Sequence, residues 1–104
     1  MTAKKKQKRR IAILANQSYG LYFGEVLSFD KKNKVATVAN CRHVCHWQGR
    51  TGGITSLAAY GLCGPKAGES RIGAPCSRAT LSGIVNIFDC SPEAAATLEA
   101  AVVT

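Results

Sequence analysis

Cys41-Arg42-His43-Val44-Cys45-His46 is the segment whose residue types could do the most varied chemistry. On a strand, Cys41, His43 and Cys45 would share one face, with successive side chains about 6.5–7 Å apart along it. Thiolate with imidazole suits zinc. The spacing, however, is not that of a two-residue cysteine knuckle, and Cys63, Cys76 and Cys90 are scattered singly with no second matching pair. Half-buried strand residues without a metal are the expected reading. Nucleophilic catalysis needs a base oriented by a third group and aimed at a nucleophile. Both histidines lie on this one segment, the six acids are not paired, and no serine sits in a nucleophile-elbow motif. The sequence therefore predicts a protein that is not an enzyme, with no catalytic residues and no cofactor.

Gly49-Arg50-Thr51-Gly52-Gly53-Ile54-Thr55 is a second chemically suggestive stretch. A glycine-rich turn feeding a helix start exposes backbone N–H groups. Arg50, with Arg42 and the amides of Gly52 and Gly53, could complete an anion site. No Gly-Lys-Ser/Thr follows, so this is not a P-loop, and a plain turn before a short helix is the competing reading. Tyr19, Tyr22, Phe23 and Trp47 could form a stacking platform for bases. Aromatics on alternating strand positions are more often core or cross-strand pairs.

Charge is the strongest compositional signal. The 104 residues carry a formal charge of +8. Lys4, Lys5, Lys6, Lys8, Arg9 and Arg10 supply six positive charges without an acid, whereas the remainder holds eight basic and six acidic residues. Residues 1–10 thus read as a flexible basic arm, which cannot bury apolar surface, and 11–104 as a single β-rich domain. Such an arm suits a polyanion, and its competing role is that of a solubilising tail. The apolar run Ile11–Ala15 is shorter than the ~7–15 residues of a signal core. No stretch approaches the ~20 apolar residues of a membrane span, so a soluble protein is expected. Five cysteines are an odd number and cannot form a complete disulfide framework; reduced thiols acting as small buried hydrophobes are expected.

The elements that must position these groups read as an α+β domain: a small, bent antiparallel sheet of about five strands, a short mid-chain helix and a C-terminal helix. Strands are expected at Ile11–Ala15, Tyr19–Phe29, Val35 onward through Cys41 towards Trp47, Arg71–Cys76 and Thr80–Phe88. Asp30-Lys31-Lys32-Asn33-Lys34 makes a hairpin tip bearing three lysines. Thr55 or Ser56 would cap a helix through Tyr60 that Gly61 ends. Ser91 as N-cap, Pro92 at the first position and Glu93 in the first turn announce the closing helix. Its packing stripe is expected to be Ala94, Leu98, Ala101 and Val102.

From Phe23 onward the chain resembles a family of small, mostly uncharacterised proteins of tailed bacteriophages and prophages. Members carry a Gly-x-Leu strand, an Ala-Arg-Arg-Ile-Trp-x-Trp-x-Gly segment, a Leu-x-x-Leu-Ala-x-x-Gly helix, an Arg-Ile-x-x-Pro stretch and a closing Glu-Ile-x-x-Cys-Thr-x-x-Ala helix start. Gly24-Glu25-Val26, Cys41 to Gly49 (with Arg42, Trp47 and Gly49 kept), Ser56 to Gly61, Arg71-Ile72-Gly73-Ala74-Pro75 and Asn86 to Ala94 stand in these places, in the same order. His43, Cys45 and His46 depart from the family's Arg, Trp and Tyr, so the Cys/His cluster looks local to this chain. The resemblance implies a phage setting, in the host cytoplasm or the virion, and supplies no activity.

The leading expectation is a phage accessory protein that binds nucleic acid through Lys4, Lys5, Lys6, Lys8, Arg9 and Arg10 together with Lys31, Lys32 and Lys34. The alternatives are a structural virion component whose arm docks on an acidic subunit, and a binder of a small anionic ligand such as a nucleotide. No membrane partner is expected, and uncovered edge strands would allow a homo-oligomer.

Overall fold

Ala12, Ile13 and Leu14 are consecutive and all fully buried, which requires a strand covered on both faces. That strand is β1 (Ile11–Asn16), paired on both edges in the antiparallel sheet of the computed structural model, which describes residues 10–17, 20–47, 53–63 and 67–103. β2 (Leu21–Asp30) and β3 (Val35–His46) follow as one long hairpin. After a short helix α1 (Ile54–Tyr60) and a 3-10 turn at Ala67–Glu69 come β4 (Arg71–Ile72), β5 (Cys76–Leu81), β6 (Ile84–Asp89) and a closing helix α2 (Pro92–Glu99). The order across the sheet is β4-β3-β2-β1-β6, with β5 also paired to β3. The expected α+β class is therefore what the chain adopts, with six strands rather than five.

The sheet is bent by irregularities in the β2–β3 ladder, whose register shifts between Phe23 and Glu25 and again between Val26 and Ser28. At the first shift Gly24 lies so close to β3 that a Cβ there would meet Val38 Cγ1 at 2.5 Å and the Ala39 carbonyl oxygen at 2.8 Å. Opposite it, Asn40 takes a left-handed φ of 52°. Besides β2, β3 thereby serves two further partners: Ala36–Cys41 ladders with β5, and Val44 and His46 with β4. At the far end the Ile84 N–H donates to the Lys34 carbonyl and the Gln17 N–H to Gly83. These bonds draw β6 against the hairpin and roll the sheet.

Two apolar clusters result. Ala12, Leu14, Val26, Ala36, Val38, Cys41 and Ile84 fill the inside of the roll. The other face packs Ile13, Phe23, Val44 and Ile72 against Leu57, Ala58 and Leu98 of the two helices. Ser91 joins these helices: its hydroxyl accepts from the Ala94 N–H and donates to the Ala59 carbonyl. Among the described residues no helix is long and apolar enough to cross a membrane.

Four local expectations are corrected. Thr80–Phe88 is not one strand, because Gly83 at φ 65° turns the chain between β5 and β6. Arg71–Cys76 is likewise divided, its first two residues forming β4 before the bend at Gly73–Pro75. Gly53 rather than Thr55 or Ser56 stands at the N-cap of α1, with no side-chain cap bond. Finally, α2 ends at Glu99, so Val102 falls beyond the helix and is 78% exposed, although Ala94 and Leu98 are buried as expected.

Candidate polyanion-binding face

The hairpin tip is built by Asp30. Its Oδ1 accepts from the backbone N–H groups of Lys32 and Asn33 and its Oδ2 from the Asn33 side-chain amide, an Asx-turn arrangement that fixes a polar loop without burial. The Asn33 side-chain bond, followed by that from its backbone, holds the Asp30 carboxyl below its ordinary pKa. Lys34 completes the turn at φ 57°. Lys31, Lys32 and Lys34 are all exposed on this tip.

Arg10 is the single basic residue of the arm among the described residues, and it is fastened to the sheet at two points. Its carbonyl accepts from the Val26 N–H, and its Nε lies 2.8 Å from Asp89 Oδ1. Both side chains of that ion pair are well exposed, so it orients more than it stabilises. Arg10 and Lys31 line one open concavity of about 560 Å³, together with Phe29, Val85, Asn86 and Ile87. The root of the arm and the lysine tip thus share a face of the sheet. Its floor carries a half-exposed Val85 and a partly buried Phe29. Lys4, Lys5, Lys6, Lys8 and Arg9 lie outside the described residues.

Of the residues expected to form a small anion site, Arg42 and Gly53 are among the described residues, and Arg42 is engaged elsewhere. Arg42 is 4% exposed, and its guanidinium is committed to backbone carbonyls. Nε donates to Gly73, Nη1 to Leu98 and Glu99, and Nη2 to Ile72. Burial lowers its pKa from the ordinary value. Arg42 therefore caps the C-terminal end of α2 and ties it to the β4 edge, a position favourable for a cation. Gly53 opens α1, its carbonyl accepting from Ser56 and Leu57, while Arg50 and Gly52 lie outside the described residues. The capping role was invisible in the sequence, because Arg42 meets α2 only through the register of β3.

Among the described residues the aromatic platform does not assemble. Phe23 is in the core, Trp47 packs against the helix-side cluster, and Tyr22 stacks on His43 at 5.1 Å between ring centres. Tyr19 lies outside the described residues. In the Cys/His segment, Cys41 is buried inside the roll whereas His43 and Cys45 are exposed, with Cys45 Sγ 3.4 Å from His43 Nδ1. Among the described residues no group of three His, Cys, Asp or Glu side chains could hold a metal ion.

A family model described as a domain of unknown function (DUF6948) matches residues 9–98, and the chain belongs to that family. No curated protein and no solved structure matches it.

Proposed function

For this member of the DUF6948 family we propose a non-catalytic role in polyanion binding, with nucleic acid as the polyanion and a phage as the setting. The observation that supports it is the shared concavity of Arg10 and Lys31, which lets the arm and the lysine tip act on one ligand. Exposed cations on a turn contact phosphates without reading bases, so the binding is sequence-tolerant. Asn86, Phe29 and Val85 offer amide and apolar surface beside them.

The test compares full-length protein with a chain lacking residues 1–9, titrated against labelled duplex and single strands at several salt concentrations. Arg10 is kept because its carbonyl belongs to the β2 ladder region. Each phosphate neutralised on duplex DNA contributes a log–log slope of about −0.9, so removing the five arm cations flattens it by up to about 4.5. Replacing Lys31, Lys32 and Lys34 together with Ala removes up to roughly 2.7 more. Absence of binding by the full-length protein at low salt would sink this reading.

A second reading, a structural component of a virion, draws on β5. Among the described residues β5 ladders with β3 alone and its side chains are mostly exposed. An uncovered strand edge is a template for pairing with another chain, whether a second copy or a virion subunit. Copurification with virions would favour this role over the first.

A further inference from the structure

Cys41 and Cys76 are directly opposite one another in the β3–β5 ladder. Opposed residues of an antiparallel pair project to the same face with Cα atoms about 4.5–5.5 Å apart, inside the Cα separations of about 4.4–6.8 Å that a disulfide spans. Cys76 is near enough to Cys41 to raise its pKa, and the Cys76 thiol donates to the Arg78 carbonyl at 3.8 Å. They differ in surroundings: Cys41 is buried within the roll, whereas Cys76, at the first position of β5, is exposed. No other cysteine among the described residues stands opposite a second one in a ladder. We propose that Cys41 and Cys76 are a redox modification site that closes to a cross-strand disulfide and opens again under thiol reductants.

The chemistry balances with a small-molecule disulfide as the oxidant. The exposed Cys76 loses its proton, and its thiolate attacks one sulfur of the oxidant. A mixed disulfide forms and one small thiolate leaves. Cys41 then gives up its proton, attacks the Cys76 sulfur and expels the second small thiolate. The protein loses two hydrogens and the oxidant becomes two thiols. Burial, then the neighbouring charge of Cys76 and its hydrogen bond, push the Cys41 thiol up to about 11. Cys41 is therefore the resolving rather than the attacking group. A bond between these residues would fasten the edge strand β5 to β3 beside the bend at Asn40 and close the loop of residues 41–76.

This inference is independent of what the basic face binds. Full-length protein is incubated with oxidised glutathione, then blocked with an alkylating reagent and examined by intact mass and peptide mapping. The expected product is a monomer lighter by two hydrogens at the crosslinked pair, with Cys41 and Cys76 joined and Cys45 still alkylated. Its melting temperature rises by roughly 10 °C or more, as expected for a crosslink closing a loop of this length. Dithiothreitol restores the starting value. Cys76→Ser, at an exposed position, abolishes the crosslink while the chain stays folded, and Cys45→Ser leaves it intact. A product that carries glutathione on Cys76 without crosslinking, or joins two chains, overturns the proposal. So does a crosslink that persists in Cys76→Ser.

Discussion

Replacing Arg42 with alanine withdraws the donors from four backbone carbonyls on three segments: Ile72 of β4, Gly73 beyond it, and Leu98 and Glu99 at the end of α2. Two of those bonds, to Ile72 and Leu98, are buried, and a hydrogen bond from a charged donor contributes about 1.5–3 kcal/mol. The range is then roughly 3–6 kcal/mol, less what is recovered because the guanidinium no longer has to be desolvated. The net expectation is about 3 kcal/mol, or a melting temperature lower by roughly 12–24 °C for a chain of this length. Arg42→Lys keeps the charge but offers one compact ammonium in place of a planar fork, so its loss should be intermediate. Thermal and urea melts of both variants measure the magnitudes, and hydrogen exchange locates the damage. Protection should fall first in the last turn of α2 and at Ile72. If Arg42→Ala melts with the wild type, Arg42 does not hold the helix to the sheet, and its place in an anion site reopens.

Leu98 is fully buried between α2 and the sheet, so Leu98→Asp should cost about 3–5 kcal/mol or abolish folding, read as loss of the cooperative melt. Gly24→Ala should cost roughly 1–3 kcal/mol, because the new methyl meets the Ala39 carbonyl and Val38 and one strand must move; an unchanged melt would show that the ladder gives way freely. Asp30 titrates below its ordinary value of 3.8. A depressed carboxyl contributes order that is present above its unfolded pKa and lost as pH falls through the folded one. The amide resonances of Lys32 and Asn33 should therefore move only below about pH 4, and movement near neutrality would contradict the assignment.

How much of this was legible depended on whether the determining contact was local. Ser91-Pro92-Glu93 announced α2 because an N-cap is satisfied within its own first turn, and Asp30–Lys34 announced the hairpin for the same reason. Gly83 was read through because a two-residue turn inside an apolar run looks like a continuing strand. The carbonyl partners of Arg42 were not legible, since they lie some thirty and fifty-six positions away and only the β3 register brings them together. The opposition of Cys41 and Cys76 has the same origin: a ladder fixes it, and no spacing in the chain encodes it. The stripe on α2 failed at Val102 because helical periodicity says which face is apolar but not where the helix stops. The cation-rich face was half visible, as the charges are plain in the sequence while the nearness of Arg10 to Lys31 is a product of the rolled sheet.

The pairing of β1 with β6 has a consequence for how this molecule is made. β1 is the first element of the domain, yet one of its two ladders waits for Ile84–Asp89, and Arg42 in the middle waits for Leu98. A chain emerging from the ribosome can close the β2–β3 hairpin early, but it holds β1 with an unpaired edge until Ile84–Asp89 have emerged. Most contacts join residues distant in sequence, a topology that folds in milliseconds to seconds rather than microseconds. A nascent chain stalled before Ile84 would expose the apolar interior of the roll to whatever binds unfinished sheets.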